Sequence, residues 1–236
     1  MQCLIIELAC QSCSFRNPEF QNFHKTYELP PPTTLIGLAG AALGLSPKES
    51  QDFFESEFEF GISGYTRGKS NDLWKYQKLK GKAFISDILT REILFNGLFV
   101  LALVSENQSK IEKLQQAFKN PVFALTLGNS DSLAKVIQVS VIKDFIECNE
   151  LKNCLVEGNI MNEVLDQPNG LEFSLKDGID PLSYEIPVAF EYDSNYGVRK
   201  VVKRKEFSFI GSGVHIKGLS KRGVIYKEIQ IPLFSI

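Results

Sequence analysis

Pro30-Pro31-Pro32-Thr33-Thr34-Leu35-Ile36-Gly37-Leu38-Ala39-Gly40-Ala41-Ala42-Leu43-Gly44 is the stretch from which the fold is read. Three prolines cannot enter a helix interior, but a threonine after them can cap one by accepting an orphan amide of the first turn. The run that follows suits a helix. Its glycines and alanines let it lie close against a sheet, and Gly44 ends it. Before it, Gln2 to Cys10 is an apolar run of strand length, followed by the polar stretch Gln11 to Glu28. After it, Pro47 to Phe54 reads as a short helix. Glu57 to Tyr65 alternates as a strand, with Phe58, Phe60 and Ile62 on one face. Thr90 to Val104 reads as a long apolar strand, Gln108 to Phe118 as a helix, and Ala134 to Ile142 as a strand. The order is β, α, β, β, α, β. That is the ferredoxin-like or RRM-type α+β topology, with both helices on one sheet face and the other face free for a ligand, often RNA.

Beyond about residue 145 the helical period disappears. Glu172 to Leu175, Tyr184 to Tyr192, Val198 to Ile210, Val214 to Ile216 and Val224 to Ile231 read as strands. Asn169-Gly170, Asp177-Gly178, Asn195-Tyr196-Gly197 and Gly211-Ser212-Gly213 separate them as turn signals. The expected division is an α+β domain over 1–145 and a β-rich antiparallel domain over 146–236.

The 236 residues allow one large domain or two small ones sharing a core. A hydrophobic fraction of 44% and a net charge of −2 exclude wholesale disorder and a protein coated in positive charge. A nucleic-acid binder is not excluded, since binding needs only a local basic patch. Five cysteines, an odd number without framework spacing, read as free thiols of a reducing cytoplasm. Cys10-x-x-Cys13 has half the spacing of a zinc knuckle without its partner pair, so no metal is assigned. The longest apolar run, Ile93 to Val104, falls short of a membrane span. No cofactor fingerprint stands in its required context: Gly211-Ser212-Gly213 lacks the strand–turn–helix setting of a dinucleotide site. The acids Glu49, Asp52, Glu55, Glu57 and Glu59 read as a solvated face.

Thr66 to Lys82 changes character. It carries Arg67, Lys69, Lys75, Lys78, Lys80 and Lys82 against one acid, Asp72, with Trp74 and Tyr76 among them. Cations beside aromatic faces suit single-stranded RNA, where phosphates are neutralised and bases stack. A solvated hairpin with Trp74 tucked into the core is the competing reading. A second basic cluster, Arg199-Lys200 and Lys203-Arg204-Lys205, lies on a strand whose alternation splits it between faces, as in a charge-protected edge. His24, Lys25 and Tyr27 share a polar loop. They could run metal-independent RNA cleavage by acid–base chemistry on a 2′-hydroxyl.

Phe15-Arg16-Asn17-Pro18 and Tyr27-Glu28-Leu29-Pro30-Pro31-Pro32-Thr33-Thr34-Leu35-Ile36-Gly37-Leu38 resemble the N-terminal signature of the Cas-five family, RAMP-superfamily subunits of type I CRISPR Cascade complexes. Thr90-Arg91-Glu92-Ile93-Leu94 and Leu127-Gly128-Asn129-Ser130-Asp131 resemble two further blocks, the second close to the type I-B branch. The resemblance covers residues 1 to 140 and fades in the β-rich remainder. It implies an RRM-like domain with an inserted thumb hairpin over about 66–83. It also implies a subunit that caps the five-prime handle of crRNA, contacts the backbone subunit (Cas-seven) and the large subunit (Cas-eight), and reaches target DNA only through the complex. The RNA-binding residues expected on this reading are Arg16, Asn17, Lys25, Arg67, Lys69, Trp74, Lys75, Tyr76, Arg91, Asn129 and Ser130. For Arg91 the alternative is an ion pair with Glu92 or an acid on a helix. One branch of the family cuts RNA through a Tyr, a Lys and a His. Here the adjacent His24-Lys25 pair lies in the early loop and His215 stands alone, which favours a non-catalytic subunit over a nuclease built on His24, Lys25 and Tyr27.

Overall fold

The computed structural model describes residues 1–81, 83–166, 172–175 and 183–236. Lys82 and the turn signals Asn169-Gly170 and Asp177-Gly178 lie outside them, as do the side chains of Lys78, Lys80 and Ser212. The chain opens with β1 (Gln2–Cys13), β2 (Phe15–Arg16), β3 (Phe23–His24) and β4 (Thr26–Tyr27). Two helices follow, α1 (Pro32–Leu43) and α2 (Pro47–Phe54), then β5 (Glu59–Tyr65), β6 (Gly68–Lys80), β7 (Ala83–Ser105), α3 (Gln108–Lys119) and β8 (Ala134–Ile142). The remainder holds β9 (Phe145–Glu157), α4 (Ile160–Asp166), β10 (Glu172–Leu175), β11 (Ser183–Tyr192), β12 (Arg199–Tyr226), β13 (Ile229–Pro232) and β14 (Phe234–Ser235).

The fold is mixed α/β, with its strands mostly antiparallel. The path through the main sheet runs β10-β12-β9-β5-β7-β1-β8. β1 lies between β7 (Gln2↔Ser105 to Cys13↔Leu94) and β8 (Cys3↔Ile142 to Cys10↔Ala134). Its period of two buries both faces. Leu4, Ile6 and Leu8 meet Leu35, Leu38 and Ala39 of α1 and Ile111, Leu114 and Phe118 of α3, while Cys3 and Ile5 meet Val224, Tyr226 and Ile231 of β12 and β13. The face expected to stand free for a ligand is thus partly covered by the C-terminal hairpin. Leu155, Phe207, Phe209 and Phe234 join the same core as α1, so the two halves of the chain share it.

Local chemistry explains most element ends. Ser46 and Glu49 form a reciprocal capping box that starts α2, with Pro47 in its first turn. Gly44 closes α1, its N–H reaching the carbonyls of Ala41 and Gly40. The start of α1 corrects the expectation: the cap is Pro31, in extended conformation, and neither threonine hydroxyl caps it. Pro32 has no N–H, so the first turn has one orphan donor fewer to satisfy.

Three further corrections concern the strands. The basic window is one arm of a longer ribbon: β6 pairs with β7 from Gly68↔Phe95 to Lys80↔Ala83, so β7 begins at Ala83 and not at Thr90. Thirteen paired residues give a ribbon about 40 Å long at roughly 3.3 Å per residue. The helical period does not vanish after 145, because α4 follows β9, with Asn159 Oδ1 accepting the Met161 N–H at its start. Two of the expected strands, Val198 to Ile210 and Val214 to Ile216, belong to a single strand, β12, whose pairing with β9 shifts register between Ile210 and His215. The third, Val224 to Ile231, divides at the Lys227–Glu228 turn into the end of β12 and β13. The glycines around 211 bulge the strand without ending it.

All five cysteines are buried and free. Burial pushes the Cys148 thiol up to about 11 and the Cys3 thiol up to about 12, which keeps both protonated and unreactive.

A candidate RNA-binding surface on one face of the ribbon

Alternation gives the β6–β7 ribbon two unlike faces. Leu73, Lys75 and Leu79 share one face with Ile88 and Phe84, and these four apolar side chains are largely exposed. The other face carries Asp72, Trp74 and Tyr76 opposite Arg91, Leu89 and Asp87. The Trp74 and Tyr76 rings stack at 5.7 Å and 23°, and Trp74 remains 40% exposed. Lys75, between them in sequence, therefore belongs to the opposite face.

β3 adds to β7 in parallel, setting His24 beside Arg91 in the ladder and its ring 6.0 Å from that of Trp74. Burial, then repulsion from Arg16 and Arg91, holds His24 below the ordinary histidine range. The Arg91 guanidinium lies 5.5 Å from the Trp74 ring centroid, donates to Asp72 at 3.0 Å and Asp131 at 3.1 Å, and is only 12% exposed. Burial works against its charge, but the hydrogen bonds to Asp131 and Asp72 raise its pKa above the ordinary value. Its partners are thus a strand acid and a loop acid, not the expected Glu92 or a helix. With two carboxylates on it, Arg91 organises the surface and leaves little net charge for a phosphate.

Glu92 ties the pieces together from below. Its carboxylate, 9% exposed, accepts the Thr26 N–H at 3.0 Å and pairs with Lys69 at 3.0 Å. Its backbone carbonyl accepts from Ser14 Oγ at 2.8 Å. Ser14 N–H in turn reaches the Leu127 carbonyl, which brings in the loop of Asn129, Ser130 and Asp131.

Arg16, His24, Trp74, Tyr76 and Arg91 are therefore brought together, with Asn129 and the exposed Ser130 on the adjoining loop. Others are not. Asn17 is buried, and its Oδ1 accepts the Glu19 N–H at 3.0 Å, a turn-forming role. Tyr27 belongs to the core, stacked on Phe209 at 4.6 Å and 7°, and burial raises its pKa far above the ordinary tyrosine value. It therefore does not share a surface with His24 and Lys25, whose ammonium lies 5.2 Å from the centroid of the Phe20 ring. Arg67 and Lys69 stand at the ribbon base around a separate cavity. Three of the five residues in the second basic cluster are engaged locally: Lys205 with Glu157 at 2.7 Å, Arg204 with the Glu185 carbonyl, and Arg199 over Phe190. Asp72 and Asp131 were missed in the sequence as partners of Arg91. The signal for Asp72 was there, as the lone acid in a run of cations.

The acidic stretch is likewise engaged: Asp52 with Lys48, Glu57 with Lys110, and Glu59 with Arg222. Among the described residues no helix is long and apolar enough to cross a membrane.

No curated protein matches the chain. Among solved structures, the backbone is similar to one described as "CRISPR RNA-guided surveillance complex", with a TM-score of 0.54 at 13% identity over 92% of this chain and 91% of that one. A second, "Crystal structure of Cas protein", matches at 24% identity and a TM-score of 0.37, over 55% of this chain and 57% of that one. A third, "Crystal structure of a CRISPR protein from Archaeoglobus fulgidus", matches over the full length of both chains at 12% identity and a TM-score of 0.46. The first of these likenesses supports the fold. The family model described as "CRISPR-associated protein (Cas_Cas5)" matches residues 3–207, and the chain belongs to that family.

Proposed function

We propose that the chain is a non-catalytic subunit of a type I Cascade complex in antiviral defence, binding and capping the five-prime handle of crRNA. In this reading residues 1–145 form a ferredoxin-like domain with the β6–β7 ribbon as its thumb. The antiparallel order β8-β1-β7-β5, with α1 and α3 packed on one side, supports it. The observation that carries the reading is the Trp74–Tyr76 stack on one ribbon face, with His24 beside it and Arg16 close enough to act on His24. An exposed indole stacked on a tyrosine offers a platform for unpaired bases, and nearby cations favour the phosphates between them. The opposite face, with Leu73, Phe84 and Ile88 exposed, suits contact with neighbouring subunits, the backbone (Cas-seven) and large (Cas-eight) subunits on this reading.

The test is incubation of the purified chain with labelled repeat RNA in EDTA, resolved on native and denaturing gels. A shifted, intact RNA is expected, with affinity falling steeply as salt rises. Replacing Trp74 and Tyr76 together by Ala removes two stacking contacts worth about 1–3 kcal/mol each, a loss of at least tenfold. A discrete cleavage product that disappears in His24→Ala would replace the reading with a metal-independent nuclease.

A further inference from the structure

A cavity of about 220 Å³ opens where the ribbon leaves the sheet, lined by Glu28, Tyr65, Arg67 and Lys69 over a floor that includes Leu94 and Gly211. Lys69 is committed to Glu92. Among the described residues neither the Glu28 carboxylate nor the Arg67 guanidinium has a hydrogen bond or ion pair, although both line this one space. Gly211 leaves the room that the Glu28 carboxylate occupies. A Cβ built on Gly211 would lie 1.5 Å from Glu28 Oε2, so the carboxylate occupies the place that any other residue would fill. Tyr65, 41% exposed at the end of β5, supplies an aromatic wall.

Both side chains are exposed, so both stay open to a ligand with donors at one end and an anion at the other. A nucleotide has both. A carboxylate only accepts, and its two oxygens match two adjacent donors. Among the four bases only guanine presents such a pair, N1–H and N2–H, on its Watson–Crick edge; uracil sets its single N3–H between two acceptors that a carboxylate repels. We propose that this pocket seats one unpaired guanine nucleotide of the bound RNA. Glu28 accepts from N1–H and N2–H, Tyr65 lies against the base, and Arg67 meets its phosphate. The inference rests on the RNA-binding reading and adds to it the residue that selects a base.

The test uses the full chain and fluorescein-labelled nine-residue RNAs of uridine with a central guanosine, inosine, adenosine or uridine. Inosine keeps N1–H and lacks the N2 amine. Guanosine is expected to bind about fivefold tighter than inosine, the low end of a bidentate contact. Glu28→Gln brings that ratio close to one while the melting curve superimposes on that of the parent. Gly211→Ala, which displaces the carboxylate, does the same by a different route. Salt-sensitive binding of all four strands with equal affinity would overturn the guanine pocket and leave the RNA reading standing. Binding of none of them would overturn both.

Discussion

Removing the Glu92 carboxylate should loosen the candidate surface without touching any group on it. In Glu92→Ala the buried Thr26 N–H loses its acceptor, at a cost of about 1–3 kcal/mol. The Lys69 pair is lost as well. Lys69 is 39% exposed, so water rescues most of its charge and this part is worth at most about 1 kcal/mol. The total is about 3 kcal/mol. For a chain of this length each kcal/mol moves the melting temperature by roughly 2–4 °C, so the midpoint should fall by about 6–12 °C. Glu92→Gln keeps a carbonyl oxygen for Thr26 and loses only the pair, giving a fall of about 2–4 °C. Calorimetry of the three proteins at low and at 1 M salt separates the two contributions. Screening should lower the parent toward the glutamine variant and leave the alanine variant well below both. Equal falls for Gln and Ala would mean that the charge and not the Thr26 acceptor holds the loop. A fall under 2 °C in Glu92→Ala would refute the idea that this contact joins the 14–27 segment to the ribbon.

Four more outcomes follow from the same geometry. Trp74 is the only tryptophan, so its emission should be quenched on titration with single-stranded RNA, and Tyr76→Ala should blunt the change; an emission unmoved by a strand that does bind would place the RNA elsewhere. His24 is depressed in the free protein, so nearby phosphates should raise it and binding should take up a proton. Affinity then grows as pH falls from 7.5 to 6, and a His24→Gln variant with the same pH slope would refute this. Arg91→Lys cannot span Asp72 and Asp131 as the guanidinium does, and should weaken RNA binding severalfold with an altered Trp74 emission. Gly128 has φ +94, and a Cβ there would sit 1.8 Å from the Ser14 carbonyl oxygen; Gly128→Ala should cost about 1–3 kcal/mol, read by thermal melting.

Elements whose signals are local were legible in the sequence. α2 is legible over Pro47 to Phe54, where the structure adds the capping box that starts it, and β8 is legible over Ala134 to Ile142 despite the register shift beside Ile137. β12 was read as pieces because Gly211 and Gly213 look like a turn until a partner strand is present to carry the bulge. α4 was missed because seven residues with only Ile160 buried carry no period to detect. The site divides in the same way. The window from Thr66 to Lys82 was found by composition, but composition is blind to faces. Extending the alternation of a strand through it separates Lys75 from Trp74 and Tyr76, and turns one basic patch into two surfaces of different chemistry. What no reading of spacing could reach is the assembly of the surface. Arg91 meets Asp131 forty residues on, Thr26 meets Glu92 across sixty-six, and Ser14 meets the Glu92 carbonyl across seventy-eight. Those contacts exist only because β1 and β7 are neighbours in the sheet. The sheet thus decides which of the sequence's cations stay exposed and which, like Arg91, are taken up in holding the surface in place.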